Sequence, residues 1–367
     1  MRLMRVIYLA FALLIIVASS GCGFKDIDKR FFVVAMGIDQ GKTTSSYRVT
    51  LRLAIPSAKI EAGQTQTQTE IESIEAPTIA EAVRHLKAMV DKELDFGHCR
   101  VFLFGRPLME KGVEDPLNWI SRRRDIQLVA FLGMAEPDAF QVLKMHPISE
   151  RYPGNALFLT FGSEGTESSF TLTEYLFDWA RRQTETGKDG YLPIIRQDKD
   201  KNSYLLDRVA FLDKKKLRLC LDPGETQLFN ISAMRFDKSY IAVHYQNTRI
   251  VLALSQVKTR TVISRSEIPQ VTYHIRATGF LEESPPNFLN GDIPRIENLL
   301  QTELNNQLQD LLYKIRDNGV DPYGFGLHYL ATYFGGSKDW EHWKEAYPSV
   351  TFRVKSRIVI DKPGLVE

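Results

Sequence analysis

The run Phe31–Ile38, FFVVAMGI, is apolar from end to end. A strand of that composition has to be covered on both faces, so it belongs inside a sheet with packed material on either side. Tyr47–Ile55 alternates instead, with Tyr47, Val49, Leu51, Leu53 and Ile55 on one side, which predicts a half-buried strand. The polar stretch Gln64–Thr69 leads into a third strand through Ile74. Thr78–Leu94 then sets Ile79, Val83, Leu86 and Val90 three and four residues apart, the spacing of an amphipathic helix. Thr78 is placed to cap it, with Glu81 completing a capping box. Arg100–Phe104 and Gln127–Leu132 read as strands, Leu108–Ile120 and Pro137–Met145 as helices. This alternation predicts a mixed α/β fold for the first half.

Tyr152–Gly165 has the small residues of a long loop, and Leu172–Arg182 returns to helical spacing. The segment KDGYLPIIRQDKDKNS combines Gly, Pro and charge, the composition of a linker. The expected organisation is a signal segment at 1–21, an N-terminal mixed α/β domain at 22–200 and a C-terminal α+β region at 201–367. A further division is expected near 266, between a strand-rich middle domain and a C-terminal domain. Short strands are expected at Leu205–Leu212, Lys216–Leu221, Asn230–Phe236, Ile241–Tyr245 and Arg249–Leu254, with another from Val271 to Phe280. One long helix follows at Ile293–Arg316, capped by Asp292, its stripe running from Ile293 and Ile296 through Leu300, Leu304, Leu308 and Leu311 to Ile315. A final long strand, Ser349–Asp361, puts Val350, Phe352, Val354, Ser356, Ile358 and Ile360 on one face and leaves the other exposed.

The N-terminus has a different logic. Arg2 and Arg5 precede the uncharged stretch Val6–Ala18, and Ser19, Ser20 and Gly21 follow, the three-part layout of a secretory signal. Cys22, directly after the small residues, resembles the acylated cysteine of a bacterial lipobox, although Ser19 stands where such motifs carry Leu. An uncleaved signal anchor is the alternative. Two or more acyl chains give stable anchoring where one does not, so lipidation at Cys22 would tether the body beside a bilayer.

A net charge of +2 gives no case for nucleic-acid binding. Cys99 and Cys220 remain besides Cys22, too few for a disulfide framework and expected as buried free thiols. HExxH, CxxC, the phosphate-binding Walker loop and GxSxG are all absent. His98-Cys99 is a weak thiol dyad, because neighbours on a strand point to opposite faces. The remaining histidines are scattered singly, so no metal, cofactor or catalytic residue is assigned. Trp340, Trp343 and Tyr347 form either an aromatic shelf for a partner or packing against the long helix and last strand.

Four passages, taken in order, resemble the Ger(x)C family: DIDKRFFVVAMGID, ELDFGHCRVFLFGRPLMEKGVED, RVAFLDKKKLRLCLDPGETQLFN, and DPYGFGLHYLATYF followed by WEHWKEAYPSVTFRVKSRIVIDKPGLV. The resemblance implies a non-catalytic, multidomain lipoprotein, the C subunit of a nutrient germinant receptor, on the outer face of the spore inner membrane. It implies two polytopic membrane subunits, A and B, as partners. Candidate contact residues are Phe96, Gly97 and His98, together with Trp340, Trp343, Tyr347 and the exposed face of the last strand. A lipid-anchored solute-binding protein and an exported hydrolase are the competing classes.

Overall fold

The structure, a computed structural model, describes residues 4, 5, 8, 29–54, 69–147, 149–150, 154–162, 168–198, 200–245, 248–284 and 293–362. Cys22 and the signal segment, apart from residues 4, 5 and 8, lie outside the described residues.

The apolar run forms β1 (Arg30–Gln40), inside a sheet of nine described strands. β2 (Tyr47–Ala54) and β3 (Thr69–Ala76) extend it antiparallel on one side. On the other side β4 (Glu93–Asp95) and β5 (Val101–Gly105) both pair with β1 in parallel, one after the other. β6 (Phe131–Glu136) and β7 (Gly190–Asp198) continue the parallel run, and β8 (Ser203–Leu212) and β9 (Leu217–Cys220) close it antiparallel. The pairing of β1 with β2 shifts register between Val33 and Ala35, and this bulge lets Val33 and Met36 share a face.

Helices cover both faces, as the composition of β1 requires. Val33, Met36 and Ile38 share a core with α1 (Ile79–Met89), α2 (Arg106–Lys111), α3 (Glu114–Ser121) and α6 (Leu176–Thr184). Ala35 faces the opposite core, built with α4 (Ala139–Lys144) and α5 (Asn155–Phe161). Thr78 caps α1, its hydroxyl accepting from Glu81 N at 3.1 Å.

The second sheet has the order β10 (Tyr240–Tyr245), β11 (Thr248–Ile263), β12 (Gln270–Glu283), β13 (Thr351–Lys362). β12 and β13 are parallel, so the chain crosses between them through α8 (Ile293–Asp317). The predicted stripe of α8 is buried from Ile296 on, with Phe352, Val354, Ile358 and Ile360, while Ile293 is only partly buried. A fully buried Leu or Ile contributes about 1.5–3 kcal/mol, so this seam is a main source of stability in the second half. The polar flank of α8 also closes the free edge of β13. Glu297, Gln301 and Asn305, four residues apart, accept from the backbone N–H groups of Ile360 (2.9 Å), Ile358 (3.2 Å) and Ser356 (2.8 Å). An edge satisfied in this way no longer templates another strand.

Several sequence expectations are corrected. Asn230–Phe236 is not a strand, because Pro223–Ala233 is helix α7. Asp222 and Glu225 form a reciprocal capping box there (2.8 and 3.0 Å), with Pro223 in the first turn, where its missing N–H costs nothing. The supposed linker contains β7. Its Pro193 precedes Ile194, the first residue paired with β6, so no ladder bond is lost there. Leu108–Ile120 divides into α2 and α3 around Gly112, α5 occupies part of the expected loop at 152–165, and β6 starts only at Phe131. The turn between β7 and β8 lies at the expected boundary near 200, so β8 and β9 of the first sheet come from beyond it.

Candidate functional site

The Phe96-Gly97-His98 passage is a single 3-10 turn between β4 and β5. Asp95 caps it by accepting from Gly97 N at 2.8 Å and pairs with Arg30. Burial works to raise the Asp95 pKa, but the Gly97 bond and the Arg30 guanidinium prevail and hold it below the usual range. Phe96 is fully buried, 6.2 Å from the Trp119 ring and under the Arg123 guanidinium at 4.5 Å. A partner at this turn would therefore meet Gly97 and His98 rather than Phe96. His98 is exposed, its ring centroid 4.8 Å from that of Phe32 in an edge-to-face arrangement. Cys99 turns inward, where burial pushes its thiol pKa up and away from reactivity. The dyad is not assembled. Cys220, expected buried, is half-buried.

Trp340, Trp343 and Tyr347 divide between core and surface. They belong to helix α10 (Ser337–Ala346) and the 3-10 turn Tyr347–Ser349 after it. Trp343 is buried 5.0 Å from Tyr329 and 5.7 Å from Tyr347, against α9 (Phe325–Tyr333) more than against the long helix. A Cβ at Gly326 would stand 2.7 Å from Trp343 Nε1, so glycine is what lets the two helices approach. Tyr347 donates its hydroxyl to Val320 O at 2.6 Å, and its pKa is driven upward by burial and by Asp321 and Asp189. Trp340 is half-buried and lines an apolar cleft of about 560 Å³ with Leu330, Phe334, Gly336, Ser337 and Thr186. Phe334, at the end of α9, is 87% exposed. It went unremarked in the sequence because nothing in its context separates it from a core aromatic.

A buried carboxylate organises the segment leading into α9. Asp321 accepts from the backbone N–H of Gly324 (2.8 Å) and Phe325 (3.0 Å) on one oxygen and of Gly326 (2.7 Å) on the other. Burial pushes its pKa up to about 7 against those three donors. Its backbone joins that of the first half: Asp189 N donates to Asp321 O at 2.9 Å, and Asp321 N to the Asp189 carboxylate at 2.7 Å. Beside this join a cavity of about 120 Å³ lies between the two sheets, lined by Arg182, Lys188, Arg235 and three tyrosines among others. Arg182 gives its Nε to Glu174 at 2.9 Å and stacks on Tyr191, while its Nη1 has no hydrogen-bond partner.

Among the described residues no His, Cys, Asp and Glu side chains cluster as metal ligands, and no helix is long and apolar enough to cross a membrane.

Two family matches cover this architecture almost end to end. Residues 23–197 match the family described as spore germination protein N-terminal domain, and residues 207–364 the family described as spore germination B3/GerAC like, C-terminal. The fold is thus that of a spore germination protein. More narrowly, the chain belongs to the Ger(x)C family, the C subunits of spore germinant receptors, which is not a known enzyme family. It is similar to the spore germination protein GerQC of Bacillus cereus, 21% identical over 312 residues, 83% of this chain and 86% of that one. Similarity to the spore germination protein KC of Bacillus subtilis (strain 168) is 22% over 389 aligned residues, 96% of this chain and 94% of that one. The crystal structure of the GerBC protein has the same fold, with a TM-score of 0.58 at 17% identity, covering 92% of this chain and all of that one (100%).

Proposed function

We propose that this C subunit is a non-catalytic lipoprotein, held by acylated Cys22 on the outer face of the spore inner membrane. There it docks on the polytopic A and B subunits and supports assembly or signalling of the receptor. The observation that carries the docking is the apolar cleft of Leu330, Phe334 and Trp340, in which a large aromatic side chain stands almost fully in solvent. Exposed apolar surface of this kind marks interaction sites. The small residues before Cys22 and the apolar stretch before them support the tether. His98 and Gly97 form a second, smaller contact surface. A solute-binding lipoprotein is less well supported, because two sheets of different size and connectivity do not make a pair of matching lobes around a cleft.

The test has two arms in spores. Cys22→Ala should release the chain from the membrane fraction and weaken germination. Phe334→Ser with Trp340→Ala should leave the chain folded and anchored but abolish its co-isolation with the polytopic subunits. Normal retention of the first variant removes the tether, and normal co-isolation of the second removes the docking surface.

A further inference from the structure

The open face of the second sheet carries a charge pattern unrelated to the cleft. Register places Lys258, Arg276 and Arg357 in one row across β11, β12 and β13, and Arg260, His274 and Lys355 in the next. Val262, Thr272 and Arg353 form a third row. The six lysines and arginines of these rows are all exposed, and none enters an ion pair among the described residues. No carboxylate lies within the rows; Glu282 and Asp361 sit beyond them, toward one end of the strands. With the whole chain at only +2, this is a local concentration of charge rather than a reflection of the total.

Strands lie about 4.8 Å apart and same-face residues about 6.8 Å apart, so the six cations occupy an area of roughly 10 by 14 Å. Exposed apolar side chains stand at both ends: Val262 and Ile268 at one, Phe280 at the other. We propose that this face is a second membrane contact, which lies on anionic phospholipid headgroups with its apolar ends at the acyl boundary. The proposal rests on the reading that the chain works beside a bilayer. Three features favour lipid. The face is a sheet surface without a groove, its long side chains can spread over headgroups, and flanking apolar residues suit the boundary between headgroup and acyl chain. The cationic rows hold no Phe, Tyr or Trp on which a nucleic-acid base would stack, and their one ring, His274, is half-buried.

The test uses the full chain, mixed with phosphatidylcholine vesicles with or without phosphatidylglycerol and separated by flotation. Arg2 and Arg5, beside the apolar N-terminal stretch, add a gain of their own on anionic vesicles, so the share of the sheet is read as the difference between wild type and the sheet variants. Phosphatidylglycerol should tighten binding at least about tenfold at low salt, and added salt should erase the gain. Lys355→Glu with Arg357→Glu should cut the gain below about threefold, Arg276→Gln with Arg353→Gln should reduce it by a smaller step, and Lys215→Glu with Lys216→Glu, on a distant turn, should leave it intact. No gain from phosphatidylglycerol overturns the proposal. So does a gain indifferent to the sheet variants, or tighter binding of duplex DNA or polyglutamate than of the anionic vesicles. Failure of the tether shows separately, as Cys22→Ala retained in spore membranes while the phosphatidylglycerol ratio stays as predicted.

Discussion

Replacing Asp321 by Ala removes the acceptor of three backbone N–H groups in a fully buried segment. Gly324 N keeps a second partner, the Asp321 carbonyl at 3.2 Å, so the full loss falls on Phe325 and Gly326. Each buried donor left unpaired costs about 1–3 kcal/mol, and removing a buried carboxylate returns part of that, which sets the expected loss near 3 kcal/mol at neutral pH. The pH dependence separates this from a simple packing defect. The folded pKa is raised, from 3.8 to about 7, so the folded state holds the proton more tightly than the unfolded chain does. The resulting stabilisation is complete below pH 3.8 and is lost as pH rises through about 7. About three units at about 1.36 kcal/mol each put the full swing on the order of 4 kcal/mol. Asp39 (to about 6) and Glu174 (to about 7) slope the same way, again chiefly through burial, so the readout is the difference between wild type and variant. Urea unfolding of the full chain at pH 5 and pH 8 should show a steeper fall in wild type than in Asp321→Asn. Hydrogen exchange at Gly324–Gly326 should accelerate in Asp321→Ala. Equal pH slopes in wild type and Asp321→Asn, or a loss under about 1 kcal/mol in Asp321→Ala, would refute the reasoning.

Arg52 is fully buried, gives Nη1 to Met145 O and Tyr204 Oη at 2.9 Å each and pairs with Glu150; Arg52→Met should cost about 3–5 kcal/mol by thermal unfolding, with much of it recovered when Glu150→Met is added. Gly187 has a φ of +78°, and a Cβ there would lie 2.4 Å from Leu327 N; Gly187→Ala should destabilise by about 2–4 kcal/mol and weaken protection of the Leu327 amide in hydrogen exchange. Leu304→Ala should cost about 2–5 kcal/mol because its side chain fills the seam between α8 and the second sheet, whereas exposed Asp310→Ala on the same helix should change unfolding by no more than about 0.5 kcal/mol.

What the sequence revealed depends on how periodic each segment is. β1, β2, α1, α8 and β13 each carry one clear pattern, and the structure places them within a residue or two of expectation, apart from an α1 that stops at Met89; β2, expected half-buried, is covered on both faces from Val49 to Leu53. α7 was hidden because its Asp-Pro-Gly start resembles a turn and its buried residues include Thr226, Asn230 and Ser232. Glu225, three residues after Asp222, was the available signal of a capping box. β7 was hidden by its composition, since a proline fits a strand only where its missing N–H faces no partner, as at Pro193, whose side toward β6 is unpaired. Arg196 and Asp198 pair with β8 like any other strand residue. Of the candidate contact residues, Phe96 is core, and so is Trp343, which the sequence left open between a partner shelf and packing; a lone aromatic carries no mark of which it is. Arg52 and Arg182 gave no signal either, because buried arginine is rare and its partners Glu150 and Glu174 come from distant positions. The cationic rows became visible only when strand register brought Arg276 beside Lys258 and Arg357.

The two family segments meet in a joint made of several independent kinds of contact. The β7–β8 hairpin runs from Gly190↔Leu212 to Asp198↔Ser203, so one sheet takes strands from both segments. The second core includes Leu172 and Tyr191 from the first. Asn230 reaches back to Ser169 O (2.9 Å), and Leu327 N donates to Gly187 O (2.8 Å). Each contact alone is worth only about 1 kcal/mol, but the Asp189–Asp321 exchange and the apolar burial act on the same few elements. A chain joined in this way moves as one body under small forces. Under the proposed anchoring, the cleft at α9 and α10 and the cationic face of the second sheet would then keep one fixed orientation to each other and to β1. That follows from the joint, whichever of the two surfaces makes contact first.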